Sequence, residues 1–192
     1  MKTGDLIGVS GYGLVSGVIN AGTFALPRPL SNRGISHIGI ICADYAEPLV
    51  YESTTTPRPP CAVTGHVVRG AQAHRLDDFL GFKGNDVVWH IPLRRPLYDH
   101  ESYRLQESLD SALGRPYDML GAFRAGGFLF RTMQGLLRRE DVSSLFCSEW
   151  CAAVLANTGI FQTRSAGKWS PNALVRHLVR SGICDPQKLL QQ

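Results

Sequence analysis

No stretch of the 192-residue chain is apolar for long enough to span a bilayer. The N-terminus, MKTGDLIGVSGYG, has an acid at Asp5 and glycines where a secretory signal would carry an apolar run. The expectation is a cytoplasmic chain, with release by lysis or delivery to a cell envelope left open. Dense charge is also missing. The net charge is +4 and the arginines are spread from Arg28 to Arg180 without a basic run. No nucleic-acid partner is therefore expected, and a slight attraction to anionic polymers or membrane surfaces is all the charge implies. The five cysteines, at 42, 61, 147, 151 and 184, are an odd number with no CxxC pair and no His/Cys ligand spacing. That argues against structural zinc and a disulfide framework, and no metal or other cofactor is expected. Pro/Gly/Ser-rich linkers are lacking too. With 44% hydrophobic and 19% charged residues, the chain reads as a single folded domain over 1–192.

What is present centres on LFCSEWCAAVLANTG, Leu145 to Gly159. Trp150, Cys151, Val154 and Leu155 recur at helical spacing and Gly159 ends the pattern, which predicts an amphipathic helix opening at Cys147. A thiol at a helix N-terminus faces unpaired N–H groups and the positive end of the dipole, so it ionises near neutral pH. Cys151, one turn further in and followed by Ala152 and Ala153, reads as core packing.

Upstream, GDLIGVS reads as a short strand, followed after Gly13 by a short helix through Leu14, Val18 and Ile19 and by a loop around Pro27 and Pro29. ISHIGIICA alternates, with Ile38, Ile40 and Cys42 on one face and His37, Gly39 and Ile41 on the other. Gly39 leaves room beside the imidazole for another group. EPLVYEST forms an antiparallel partner in which Val50 and Glu52 share a face, so the carboxylate lies where it can hold an imidazole N–H. Further on, VTGHVVRG suggests a strand and turn, with His66 and His74 as surface histidines. HRLDDFLGF suggests a short helix, NDVVWHIPL a strand and Tyr98 to Leu113 a helix stopped by Gly114. MLGAFRAGGFLFRTMQGLLRRED is a basic, Phe-rich amphipathic insertion at about 121–141. A last helix starts at Ser170 or Asn172 with Pro171 in its first turn and ends at Gly182, and DPQKLLQQ reads as a frayed tail. The residues alone leave plain alternatives standing: Cys147 as a small buried hydrophobe, His37 as a half-exposed strand-start histidine, Glu52 as an edge-strand solubiliser.

The succession GDLI, SHIGII, VYES, GRPYD, FCSEW and WSPNAL resembles the motif order of the circularly permuted NlpC/p60 papain-like hydrolases, the YiiX/YebB-like group, from Gly4 to about Leu174. The resemblance implies an α+β fold, an antiparallel sheet or half-barrel packed against helices. It carries over Cys147 as nucleophile, His37 as base and Glu52 as the residue orienting the base, with Tyr117 of GRPYD near the substrate. The implied activity is hydrolysis of a peptide or isopeptide bond, with a peptide or peptidoglycan fragment as partner and the oxyanion held in part by the Cys147 backbone N–H. The lecithin:retinol acyltransferase group shares a counterpart of SHIGI. A lipid or acyl-ester hydrolase or acyltransferase, docked on a membrane surface by the basic segment, is the alternative activity, and a non-catalytic binding module the alternative class.

Overall fold

The computed structural model describes residues 1–10, 34–54, 58–82, 87–114, 139–163, 166 and 169–191, with the backbone alone for 139–146. The helix expected after Gly13, the loop around Pro27, the GRPYD turn with Tyr117 and the basic segment as far as residue 138 lie outside the described residues.

β1 (Leu6–Ser10), β2 (His37–Cys42), β3 (Leu49–Thr54), β4 (Gly70–Arg75), β5 (Val87–Ile91) and β6 (Lys188–Gln191) form one sheet in the order β4-β3-β2-β1-β5-β6. Every pairing is antiparallel. Four helices accompany it among the described residues: α1 (Leu76–Leu80), α2 (Asp99–Ala112), α3 (Arg139–Thr158) and α4 (Pro171–Arg180). The protein is thus an α+β fold, a six-stranded antiparallel sheet packed with helices.

Strand alternation divides the core. Leu6, Ile38, Ile40, Tyr51 and Ile91 join Leu105, Leu109, Cys151, Leu155 and Leu174 in the larger cluster, so one sheet face is covered by helices. Ile7, Val9, Ile41, Val50 and Val88 meet Phe79 of α1 on the other. A central strand buried on both faces loses its alternation of apolar and polar residues, which is why LIGVS is apolar throughout apart from Gly8 and Ser10. α3 packs on β2 and β3 and is flanked by α2 and α4. Polar ties fix the layers: the Tyr51 hydroxyl donates to Asp110 of α2 at 2.8 Å. Asp5 accepts from Leu93 N at 2.9 Å and pairs with His90 at 2.7 Å, joining the entry of β1 to β5.

The capping of α4 follows its sequence. Ser170 accepts from Ala173 N, Pro171 occupies the first turn, and Gly182 takes φ 76° just past the end.

Three expectations about the secondary-structure elements need correction. The strand near VTGHVVRG falls later, at Gly70–Arg75, because residues 62–64 form a turn instead. The C-terminal tail is not frayed, since Lys188–Gln191 hydrogen-bonds to β5 as an exposed edge strand. The cysteine helix opens earlier, at Arg139, which makes Cys147 the ninth of its 20 residues.

Candidate active site

His37 opens β2, Glu52 lies near the end of the adjacent antiparallel β3, and Cys147 comes from α3, which packs on both strands. The fold brings these three side chains together. The His37 Nε2–H donates to Glu52 Oε2 at 2.5 Å, and the same imidazole is hydrogen-bonded and charge-coupled to Cys147. With Nε2 held by the carboxylate, Nδ1 is the ring nitrogen left to exchange a proton with sulfur.

The early start of α3 changes how the thiol can be activated. The dipole and the free N–H groups of a helix act within its first turn, and Cys147 lies beyond that turn. Its backbone N–H is an interior helical donor, committed to the carbonyl four residues earlier, so it is not free for an oxyanion. The group placed to take the Cys147 proton is His37.

The electrostatics fit that burden. Burial disfavours the imidazolium, but the charge and hydrogen bond of Cys147 and the hydrogen bond and charge of Glu52 outweigh it, raising His37 from its ordinary 6.5 to about 10. Burial likewise opposes ionisation of Glu52, which is 0% exposed. The hydrogen bond and charge of His37, then the charges of Arg58 and His74, reverse that and hold the carboxyl below its usual range.

Gly39 does not leave space for a ligand beside the imidazole. A Cβ there would stand 2.8 Å from Tyr51 O and 3.0 Å from Val50 Cγ1, so the missing side chain lets β3 approach β2. That close approach sets the strand carrying Glu52 against the strand carrying His37. The Trp169–Asn172 turn ties the other two parts together. Ser148, beside Cys147, donates its hydroxyl to Trp169 O at 2.5 Å, and Asn172 Oδ1 accepts from Ile35 N at 2.8 Å, two residues before His37. One short segment thus holds both the cysteine helix and the mouth of the histidine strand. Cys151 packs as expected: it is fully buried, its Sγ lies 3.7 Å from Ile38 O, and burial pushes its thiol well above the usual value.

His74 is not a surface residue. It is 3% exposed and its Nε2 lies 3.6 Å from Glu52 Oε1. Arg58 Nε is 3.6 Å from the same oxygen, and Gln72 is paired directly across from Glu52 in the β3–β4 register. Neither Arg58 nor Gln72 has a distinguishing sequence signal. His66, by contrast, is exposed as expected.

The crystal structure of the metalloprotein yiiX from Escherichia coli O157:H7 is similar to this chain, with a TM-score of 0.52 over 100% of this chain and 97% of that one, at 15% sequence identity. At that identity the likeness is one of fold. No protein-family model and no curated protein matches the chain. Among the described residues no group of three or more His, Cys, Asp or Glu side chains is arranged to hold a metal ion, and no helix is long and apolar enough to cross a membrane.

Proposed function

We propose that the protein is a cysteine hydrolase of the permuted NlpC/p60 papain-like kind, cleaving a peptide or isopeptide bond such as those of cell-wall stem peptides. One observation carries the reading: a single imidazole, 13% exposed, is hydrogen-bonded to both a carboxylate and a thiol. The chain order His37, Glu52, Cys147 and the motifs around each residue support the permuted form.

Cys147 passes its proton to His37, and the thiolate attacks the carbonyl carbon of the substrate. The C–S bond forms as the C–N bond breaks, and His37 gives its proton to the departing amine. Water then attacks the thioester and surrenders a proton to His37 as the C–S bond breaks, and that proton returns to sulfur. Glu52 keeps Nε2–H in place through both halves and compensates the imidazolium. Cys147 is fully buried, so the acyl group reaches sulfur after neighbouring side chains shift.

Digestion of purified peptidoglycan followed by mass analysis of the fragments tests this. New amine and carboxyl ends at a peptide link, lost in Cys147→Ala, are the expected result. Undiminished cleavage by Cys147→Ala overturns the assignment of the nucleophile. Release of fatty acid from acyl-ester vesicles, with intact peptidoglycan, would move the substrate to the lipid class.

A further inference from the structure

Beneath the candidate triad lies a second polar cluster that the mechanism leaves unused. Glu52 has two oxygens, and His37 holds Oε2. The other, Oε1, is buried and faces Arg58 Nε and His74 Nε2, each at 3.6 Å. Glu52 Oε1, Arg58 Nε, His74 Nε2 and both amide atoms of Gln72 are buried without a hydrogen-bond partner among the described residues. Such groups are rare in folded proteins and expensive to keep. The cluster is nevertheless closed around: the Arg58 guanidinium lies over the Phe82 ring at 4.8 Å, and the His74 ring meets the same phenyl edge-on at 5.0 Å. Phe82 packs both groups close to the carboxylate.

The proton cycle explains why a fixed cation is needed there. While His37 is charged, it compensates Glu52. Once His37 has given its proton to a leaving group, a carboxylate at 0% exposure would, without Arg58, face only neutral partners, and such a group takes up a proton instead. His74 does not fill the gap. Burial lowers its affinity for a proton and Arg58 lowers it further, outweighing Glu52 and Asp78. The remaining groups coupled to this network from α3, Cys147 and Cys151, carry no positive charge. Among the described groups around Glu52, Arg58 alone stays charged at every step.

We propose that Arg58 is a positioning residue for the candidate triad, pinned by Phe82 and aimed at Glu52 Oε1, holding the carboxylate ionised and directed at His37 while His37 is neutral. The inference rests on the Cys147–His37–Glu52 reading. Loss of the cation makes Glu52 easier to protonate, and a neutral Glu52 leaves a largely desolvated imidazolium uncompensated, so the thiolate–imidazolium pair reverts to neutral thiol and imidazole.

The test is the pH dependence of iodoacetamide alkylation at Cys147, followed by peptide mass analysis in wild type, Arg58→Met, Arg58→Lys, Glu52→Gln, His37→Ala and the Arg58→Met/Glu52→Gln double variant. In Arg58→Met the acid limb is expected to move up by about one pH unit or more. Arg58→Lys, which keeps the charge, recovers most of the shift and stands in where Arg58→Met fails to fold. In the Glu52→Gln background Arg58→Met adds nothing, because the two act through one group. A profile for Arg58→Met superimposed on wild type, or the same shift with and without Glu52, overturns the inference while a slow His37→Ala leaves the triad reading intact. Alkylation unaffected by His37→Ala overturns both.

Discussion

Replacing Glu52 by Gln removes one charge from a fully buried position and changes little of the shape. In the wild type that charge is shared by His37 at 2.5 Å and by Arg58 and His74 at 3.6 Å. Removing one partner of a buried ion pair costs about 3–5 kcal/mol, because the remaining charges are left uncompensated. Here His37 can escape by returning its proton to Cys147, which leaves the number of bound protons unchanged, and the amide oxygen still accepts a hydrogen bond, which places the expected loss at the lower end, about 3 kcal/mol. For a chain of this length that corresponds to a fall in Tm of about 6–12 °C. The loss carries a pH signature. Glu52 is held below its ordinary value, so its contribution is fully present above the unfolded carboxylate range near 4.5 and disappears as pH falls through the lower folded value. The stability gap between wild type and Glu52→Gln is therefore expected to be constant from pH 7 down to about 5 and to narrow on further acidification. Guanidinium unfolding followed by tryptophan fluorescence at each pH measures it. A gap below 1 kcal/mol at pH 7, or one unchanged between pH 5 and the lowest pH at which both fold, refutes the idea that Glu52 is an ionised, compensated carboxylate.

Gly39→Ala drives a methyl group to within 2.8 Å of Tyr51 O, so β2 and β3 must separate. A destabilisation of about 1–3 kcal/mol is expected, with slower Cys147 alkylation as His37 and Glu52 part, and a neutral effect on both would remove the close-approach role given to this glycine. Asn172→Ala leaves the Ile35 amide without its 2.8 Å acceptor at the mouth of β2. The expectation is a loss of about 1–3 kcal/mol together with a drop in turnover larger than the drop in folded fraction, and equal losses would reduce Asn172 to a structural tie.

The elements that were legible in the sequence are those whose pattern is imposed locally. β2, β3 and β5 are runs rich in β-branched and aromatic residues bounded by turn residues, and α4 carries its own cap, first-turn proline and terminal glycine. β4 was hidden because GAQAHR has almost no apolar periodicity. It is a strand because Glu52 and its neighbours on β3 supply a hydrogen-bonding edge, information held 20 residues away. β6 was hidden for the opposite reason: an exposed edge strand buries nothing that a pattern could report. The true start of α3 is hidden because residues 139–146 mix charged, polar and apolar types, whereas the apolar repeat begins at the cysteine. His37, Glu52 and Cys147 stand in recognisable short motifs. Arg58 and His74 do not, since one sits in a proline-rich loop and the other becomes a neighbour of Glu52 through strand register alone.

The proposed site turns on a histidine held in its charged form by Cys147 and Glu52. An NMR titration of the His37 ring nitrogens reads that charge directly. Wild type is expected to keep the imidazolium well above pH 8, losing it near 10, and Cys147→Ala, which removes the largest favourable influence, is expected to titrate markedly lower. A His37 that loses its proton near 6.5 in both proteins would contradict the thiol–imidazole pairing on which the site is built.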